Sequence, residues 1–408
     1  MKSNYTRLKL ACYTTNLSMS AVGNISPVLL LTFRSLYGIS YSMLGLLVLI
    51  NFFTQLSIDL LFSFFSHKFD IRKTVRLTPV ICAIGLGVYA LVPVLFPDCA
   101  YLGLVIGTVI FAASGGLSEV LLSPVFAKIP SKDPDKEMSK LHSVYAWGVV
   151  FVVLISTAFI SLFQKENWYI LALIFLTIPL TSSILFAVAE IPDIETPEKL
   201  SGTATLLKNR GLWLSVLAIF LGGAAECTMA QWASSYIEGA LGIPKAWGDV
   251  FGVAVFSVML GLGRTLYSKW GKNIEKVLLG SAIGAFLCYS VAALSPSPVL
   301  SLIACALTGL FVAMMWPGNL VVASERFPSG VFIYALMASG GDLGASVGPQ
   351  LVGLVTDIAI GIGGSSNLAA NLGIGVEQLG MRIGMLVGML FPLLAIFVYI
   401  KLLKTKKQ

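Results

Sequence analysis

Twelve apolar stretches, each long enough to cross a lipid bilayer, follow one another along this chain of 408 residues with short connections between them. A hydrocarbon core about 30 Å thick requires roughly 20 mainly apolar residues in a helix, because each residue adds about 1.5 Å. Hydrophobic residues make up 57% of the chain and charged residues only 12%, which excludes a soluble domain of this length. The sequence therefore predicts an all-α membrane protein with 12 transmembrane helices. The predicted spans are residues 10–33, 40–65, 77–96, 100–127, 142–163, 168–189, 212–240, 247–269, 277–294, 298–324, 329–360 and 381–402.

Basic residues crowd every second connection, and this pattern predicts the orientation of the chain. Cytoplasmic connections of membrane proteins are enriched in Lys and Arg. Of the 27 basic residues, 23 lie at the two termini, along alternate connections or in the adjoining ends of the spans, and the other four are Arg34, Lys165, Lys245 and Arg382. We therefore expect both termini to be cytoplasmic in a plasma membrane, with short loops typical of a prokaryotic inner membrane. The net charge of +7 is explained by a basic collar facing anionic headgroups, so no nucleic-acid partner is expected.

The longest predicted cytoplasmic connection, residues 190–211, divides the spans into six and six. We predict an N-terminal six-helix bundle over 1–189 and a C-terminal six-helix bundle over 212–408. Short basic turns recur after span 2 (FSHKFDIRK, 65–73) and after span 8 (YSKWGKNIEK, 267–276). Repeated halves are typical of transporters that work by alternating access, with the solute bound near the midplane. The predicted fold is therefore two pseudo-symmetric bundles.

Six short motifs occur in the order found in one group of transporters. They are GGLSEVLLSPVF (115–126), MSKLHSVYAWG (138–148), GGAAECTMAQWASSYI (222–237), GLGR (261–264), GLFVAMMWPGNLVVASERFP (309–328) and SGGDLGASVGPQLVG (339–353). With the 12 spans and the basic turns, these motifs resemble the major facilitator superfamily, and within it the fucose–glucose–galactose proton symporters. The resemblance implies a monomer that takes up a monosaccharide together with protons. The fucose member of that family has an Asp in helix 1, where this chain has Asn16 and Asn24.

Four acids and one base stand clear of the ends of the predicted spans, and they are the first candidates for function. An ionisable side chain at the bilayer centre costs about 3 kcal/mol on insertion scales and is a functional candidate by default. One Arg neutralises one carboxylate, so the remaining acids are available to carry protons. We predict that Glu119, Glu226 and Asp342 couple transport to protons. Asp59 and Arg264 lie about two turns from the cytoplasmic end and are predicted to act in gating.

Each of these acids also has a structural interpretation. Glu119 follows two glycines on one helix face, and the resemblance places a proton-coupling or sugar-binding Glu here. Alternatively, a protonated Glu119 serves packing alone. Glu226 forms either a ligand site or a structural ion pair with Arg264, which is itself a possible solute contact. Asp342 is either a second protonation site or a contact between the bundles.

Polar and aromatic residues around these acids predict a sugar site. Planar polar groups bind hydroxyls, and an aromatic face covers the apolar C–H surface of a sugar. In span 7, Glu226 is followed by Gln231 and Trp232 and preceded by Gly222 and Gly223, where the helix has the freedom to unwind. On a straight helix Glu226 and Trp232 point differently, so a shared site requires a kink. The residues predicted to bind substrate are Asn24, Glu119, Glu226, Gln231, Trp232, Trp316 and Asn319.

The leading hypothesis is proton-coupled uptake of a monosaccharide or similar small polar solute. A proton-driven exporter of drugs or metabolites is the first alternative, although span 5 lacks the Pro of such exporters and Gly348-Pro349 lies in span 11 instead. An uncoupled facilitator is the second alternative. An enzyme is least expected, since no nucleophile–base arrangement occurs. The expected partners are a small-molecule solute, protons and the lipid bilayer, and the expected driving force is the proton gradient without a cofactor or metal.

Overall fold

The computed structural model describes residues 5–65, 68–130, 134–192, 207–327 and 331–405. Most of the predicted linker 190–211, and residues 66 and 67 of the turn after span 2, lie outside these residues. Throughout the described ranges the regular secondary structure is helical, without a strand. The helices of the first half are α1 Thr6–Tyr37, α2 Tyr41–Phe65, α3 Ile71–Leu95, α4 Ala100–Ala127, α5 Pro134–Phe163 and α6 Trp168–Val188.

The second half contains the longer helices interrupted by shorter ones. Its elements are α7 Arg210–Leu241, α8 Lys245–Trp247, a π-helix Gly248–Ala254, α9 Val255–Trp270, α10 Ile274–Leu294, α11 Pro298–Val312, α12 Pro317–Arg326, α13 Val331–Gly361, α14 Ser365–Asn371 and α15 Val376–Thr405. Across the described part of the chain, 11 helical stretches are long and apolar enough to span a membrane. The predicted fifth span lies in α5, whose shorter apolar stretch is Trp147–Phe163. The predicted all-α, multi-pass fold is therefore confirmed.

The described residues form two compact units. Unit 1 comprises the described residues of 1–32 and 50–199, and unit 2 comprises those of 33–49 and 200–408. The end of α1 and the start of α2 thus group with the second half of the chain.

Close helix packing in unit 1 depends on glycines where α3 meets α4. A methyl group on Gly85 would lie 2.5 Å from the Phe111 amide nitrogen, and one on Gly107 would lie 2.6 Å from the Tyr89 Cα. Small residues allow such backbone approach, which drives helix association in membranes. Unit 1 also contains an apolar cluster that joins helices α1, α2, α3, α4 and α6 and includes Leu8, Phe62, Val75, Val125 and Phe186.

In unit 2, the predicted tenth span is broken rather than continuous. Residues 313–316 form turns between α11 and α12, and α12 begins at Pro317. Proline has no amide hydrogen, and its ring clashes with the carbonyl four residues earlier, here that of Ala313. Pro317 therefore accounts for the break and leaves this carbonyl without its usual helical donor.

Candidate functional site

Unit 1 contains two neighbouring carboxyl groups, those of Asp59 on α2 and Glu119 on α4. Gly116 admits α2 so closely that a methyl group on it would lie 2.9 Å from Asp59 Oδ1. Glu119 lies one turn further along α4, and its carboxyl interacts electrostatically with Asp59. Gln55, one turn before Asp59, packs against Gly115.

These two carboxyls differ in accessibility, and neither is paired with a cation. Asp59 Oδ1 is enclosed without a hydrogen-bond partner, whereas the Glu119 side chain is exposed. None of the described ion pairs includes either residue. Unit 1 therefore places two acids together with no described base to neutralise them.

The asparagines of α1 lie in the same unit and serve local contacts. Asn24 is half-buried, and its Nδ2 donates to the Ser20 carbonyl at 2.9 Å within α1. Asn16 is buried, and its Nδ2 donates to the Leu141 carbonyl of α5 at 2.5 Å. Asn16 thus fastens α1 to α5, while the carbonyl oxygen of the Asn24 amide has no described donor.

Unit 2 contains an acid that is paired. Arg264 Nη2 of α9 lies 3.4 Å from Glu226 Oε1 of α7. The Glu226 side chain is 15% exposed and the Arg264 side chain 46% exposed. The second carboxylate oxygen, Glu226 Oε2, is enclosed and has no hydrogen-bond partner. The pair is therefore loose, with a guanidinium that solvent reaches and one carboxylate oxygen that remains unused.

The broken tenth span positions this ion pair. Arg264 Nε donates to the Ala313 carbonyl at 3.2 Å, the carbonyl that Pro317 removes from the helical ladder. Backbone carbonyls freed at an interrupted membrane helix commonly face a binding site. A cation from α9 thus occupies an acceptor that the helix break exposes.

Trp316 lies at the same break, against the glycine contact between α7 and α13. A methyl group on Gly223 would lie 3.1 Å from Trp316 Cζ3, and one on Gly341 would lie 2.5 Å from Trp316 Cη2. The ring is half-buried. Asp342, which follows Gly341, is buried and lies with Glu226 within electrostatic range of the Cys227 thiol. The structure therefore brings Glu226, Arg264, Trp316 and Asp342 into one region of unit 2.

Three other residues predicted to bind substrate are buried. Trp232 is 1% exposed, and its Nε1 donates to the Pro349 carbonyl at 2.9 Å. Asn319 is 2% exposed, and its Nδ2 donates to the Tyr399 hydroxyl at 2.8 Å. Gln231 is also buried. These contacts join α7 to α13 and α12 to α15.

The freedom of Gly222 and Gly223 is used for packing rather than for unwinding. Helix α7 is continuous from Arg210 to Leu241. A methyl group on Gly222 would lie 2.7 Å from the Met315 carbonyl oxygen. The glycines therefore bring α7 against the broken span, and α7 has no break that would turn Trp232 toward Glu226.

Sequence reasoning missed two buried acids, Asp249 and Glu275, of which Asp249 is the more deeply buried. The Asp249 side chain is fully buried in the π-helix, with Lys245 Nζ at 3.2 Å and a hydrogen bond from the Ser234 hydroxyl. Asp249 lies two residues inside the predicted start of span 8, where an acid is normally solvated. The sequence signal was Lys245 four residues earlier, the spacing of a helical ion pair.

The comparison with protein families agrees with this architecture. The sequence profile of the Major Facilitator Superfamily matches residues 11–349, which is most of the chain. The chain therefore belongs to the major facilitator superfamily, and it is a multi-pass membrane transporter rather than an enzyme. A comparison with functionally curated proteins finds no significant match.

Solved transporter structures share the fold over nearly the whole chain. A D-xylose-proton symporter is 18% identical with a TM-score of 0.71, covering 96% of this chain and 97% of that chain. The nucleoside transporter NupG is 14% identical with a TM-score of 0.69, covering 98% of each chain. The fucose:proton symporter FucP of E. coli is 16% identical with a TM-score of 0.57, covering 96% of this chain and 99% of that chain. At these identities the likeness concerns the fold alone.

Proposed function

We propose that this transporter takes up a monosaccharide or a similar small polar solute together with protons, by alternating access. Glu119 is the proton carrier. The observation that carries the proposal is the Asp59–Glu119 pair, two neighbouring carboxyls on membrane helices with no described cation beside them. The proton gradient supplies the driving force, and no cofactor takes part.

The pair is suited to binding one proton. Two neighbouring carboxylates repel each other, and a single proton removes that repulsion. Glu119 is the exposed member, and we assign the exchanged proton to it, while Asp59 holds an enclosed oxygen nearby. Once protonated, the pair carries one charge fewer, so enclosing it in the protein costs less free energy.

The proposed solute contacts lie in unit 2. The unused oxygen of Glu226 accepts a hydroxyl hydrogen, the exposed guanidinium of Arg264 donates to a hydroxyl oxygen, and the Trp316 ring covers an apolar sugar face. Because Glu226 already has a cationic partner, we assign it to the solute rather than to the proton. Asp342 stays a predicted second proton site, and Asn24 a predicted contact from α1.

Two further points support this choice of solute and driving force. Two of the solved structures with this fold are named proton symporters of the sugars xylose and fucose, and a third is a nucleoside transporter. Hexoses, pentoses and nucleosides all present hydroxyls beside an apolar face, which fits the proposed contacts. We further propose that the protein works as a monomer in the cytoplasmic membrane with both termini inside.

The test is solute-induced proton uptake, followed with a pH-sensitive dye in vesicles that contain the protein. Uptake of hexoses, pentoses, polyols and nucleosides is compared between wild type, Glu119→Gln and the control Glu166→Gln. Glu166 is an exposed acid in the 3₁₀-helix Lys165–Asn167, between α5 and α6. We expect external alkalinisation with one solute in wild type and control. Glu119→Gln should lose the proton signal yet still exchange labelled solute. Extrusion of cationic dyes, with no response to any polar solute, would instead establish the exporter alternative.

A further inference from the structure

Residues 33–49 belong to a different unit from the helices that contain them. This segment, here called the hairpin segment, includes the end of α1, the connection 38–40 and the start of α2. Its contacts place it in unit 2, whereas α1 before residue 33 and α2 after residue 49 belong to unit 1. The last residues of α1 and the first residues of α2 therefore group with unit 2, although the rest of each helix belongs to unit 1.

A carboxylate of unit 2 caps the start of α2. Asp357, near the end of α13, accepts hydrogen bonds from the amides of Tyr41 at 3.2 Å and Ser42 at 2.6 Å. The first amides of a helix have no partner within the helix, and the positive end of the helix dipole favours an anion. Ser40 of the hairpin segment caps the Met43 amide, at 3.2 Å. The first amides of α2 are therefore capped partly by Ser40 of the hairpin segment and partly by Asp357 of α13, which is far away in the sequence.

An ion pair forms the second polar connection. Arg34 Nη2 lies 2.6 Å from Glu377 Oε1 at the start of α15, and the guanidinium lies 4.1 Å from the centre of the Tyr41 ring. The side chains are 27% and 60% exposed, respectively. Water therefore reaches the pair and can replace each partner when the other leaves, so separation costs little free energy.

Between these polar contacts, the start of α2 packs closely against α13. A methyl group on Gly45 would lie 3.1 Å from both the Gln350 Cα and the Pro349 carbonyl oxygen of α13. The Tyr41 ring packs at 6.2 Å from the Trp232 ring, whose Nε1 is already bonded to Pro349. The segment therefore lies on a surface that α7 and α13 form together and that a hydrogen bond between these two helices holds.

We propose that the hairpin segment is a releasable clasp, held to α13 by Asp357 and to α15 by the Arg34–Glu377 pair. This inference rests on the proposed alternating access. The clasp is closed in this structure, and it separates from α13 and α15 when the end of the molecule predicted to face outside opens to solute. Asp357 is the main polar contact of the clasp. When its carboxylate leaves the start of α2, the amides of Tyr41 and Ser42 become free to donate to water.

The first test follows amide hydrogen exchange of peptides from 38–47 and from 51–60 in purified protein, which needs neither solute nor proton gradient. Asp357→Ala should speed exchange at residues 41–42 about tenfold, as expected for a lost charge-assisted hydrogen bond. Residues 51–60 should exchange as in wild type. Arg34→Glu should also speed exchange in 38–47, and Arg34→Glu with Glu377→Arg should restore it.

The matched control is Arg326→Gln, which removes another ion pair of unit 2, with Arg326 Nη2 and Glu275 Oε1 2.8 Å apart. It should leave exchange in 38–47 unchanged. Unchanged exchange in Asp357→Ala, or faster exchange spread equally over both peptides, would overturn the clasp. Unchanged exchange would mean that Asp357 does not stabilise the start of α2. Equally faster exchange in both peptides would mean that the whole protein is destabilised.

The second test ties the clasp shut. In a variant without the six native cysteines, Gly45→Cys and Gln350→Cys are joined by a disulfide, whose formation is checked by mass. Exchange of labelled solute should stop while the disulfide is intact and return on reduction. Solute exchange through the intact disulfide would overturn the proposal. If no tested solute moves in wild type, the proposed function fails, and hydrogen exchange still decides whether the segment is held as described.

Discussion

Acids on the membrane helices of units 1 and 2 have different electrostatic partners. In unit 1, Asp59 has another acid, Glu119, as its neighbour, and none of the described ion pairs includes either residue. In unit 2, Glu226 has Arg264 at 3.4 Å. The same functional group is thus suited to carrying a proton in one unit and to holding a cation or a hydroxyl in the other. The partner, rather than the acid itself, decides which task is chemically reasonable.

The two arrangements also have different backbone causes. In unit 1, Gly116 allows α2 and its Asp59 to approach α4. In unit 2, Pro317 interrupts a helix and frees the Ala313 carbonyl, which then holds Arg264 at the Nε atom. In unit 1, the acids come together because glycine has no side chain at position 116. In unit 2, the base is held in place because proline has no amide hydrogen at position 317.

The largest expected effect separates proton coupling from solute binding. Glu119→Gln should abolish the dependence of uptake on external pH, because the amide cannot carry a proton. Glu226→Gln should keep that dependence and raise the KM for solute about tenfold, the effect of losing one hydrogen bond to a charged group. Initial uptake rates against pH and solute concentration measure both effects. The opposite outcome, with pH dependence lost only in Glu226→Gln, would exchange the two assignments.

The next effect concerns stability and has opposite signs in the two units. Arg264→Gln leaves the Glu226 carboxylate without a cation and should destabilise the protein by about 1–2 kcal/mol, less than for a fully buried pair because the guanidinium is 46% exposed. Asp59→Asn removes charge repulsion with Glu119 and should leave stability unchanged or higher.

Denaturant or thermal unfolding in detergent measures both variants. The double variant Glu226→Gln with Arg264→Gln should recover part of the loss, because neither charge is then left alone. Equal destabilisation by Asp59→Asn and Arg264→Gln would show that the two acids have equivalent surroundings.

A smaller effect tests the approach of α2 to α4. Gly116→Ala places a methyl group 2.9 Å from both Asp59 Oδ1 and the Gln55 carbonyl oxygen, and should destabilise the protein by about 1–3 kcal/mol unless Asp59 moves. The control is Gly261→Ala in α9, where nothing lies within 4 Å of the added carbon. That change should be neutral or stabilise by about 0.5–1 kcal/mol. If both variants unfold at the same temperature, the approach of α2 to Gly116 is not tight enough to exclude a methyl group.

The smallest expected effect is outside the membrane spans, at the start of α3. The Lys73 amide donates to Asp70 Oδ1 at 3.1 Å and lowers the pKa of this carboxyl from its ordinary value of 3.8. Because the pKa is lower in the folded state, the contribution to stability is complete above the ordinary value and is lost as pH falls through the lowered one.

Asp70→Asn should therefore be slightly less stable than wild type at about pH 7, and the difference should shrink as the pH falls below the ordinary pKa of the carboxyl. Unfolding at a series of pH values measures the difference. A difference that persists in acid would mean that the carboxylate charge at Asp70 is not what stabilises the helix start.

Much of the fold follows from local sequence, because hydropathy acts residue by residue along a helix. The predicted spans fall on helices of the structure, although α3 and α5 begin six and eight residues before the predicted starts. The motifs identified the superfamily that the profile match confirms. The tenth span was the exception, since an apolar run does not show whether Pro317 bends a helix or ends it. The predicted division at 190–211 stays a prediction. Residues 33–49 group with unit 2 through contacts between distant parts of the chain, which a local sequence pattern does not predict.

The site was less predictable than the fold. Sequence alone selected the membrane acids, because an ionisable group in an apolar span is costly wherever it lies. It did not distinguish Trp316, half-buried beside Gly341, from Trp232, which is packed between helices, since both are tryptophans in apolar segments. Asp249 was missed because its burial depends on Ser234 and Lys245 folding over it.

The sequence by itself determined that the chain crosses the membrane many times, that it belongs to the superfamily, and which few charges lie among apolar residues. Only the tertiary structure decided their partners: Glu119 for Asp59, Arg264 for Glu226, and Asp357 for the start of α2. The physical reason is that burial cost is a property of one residue and its depth. Pairing instead depends on the rotation and spacing of helices that are far apart in the chain.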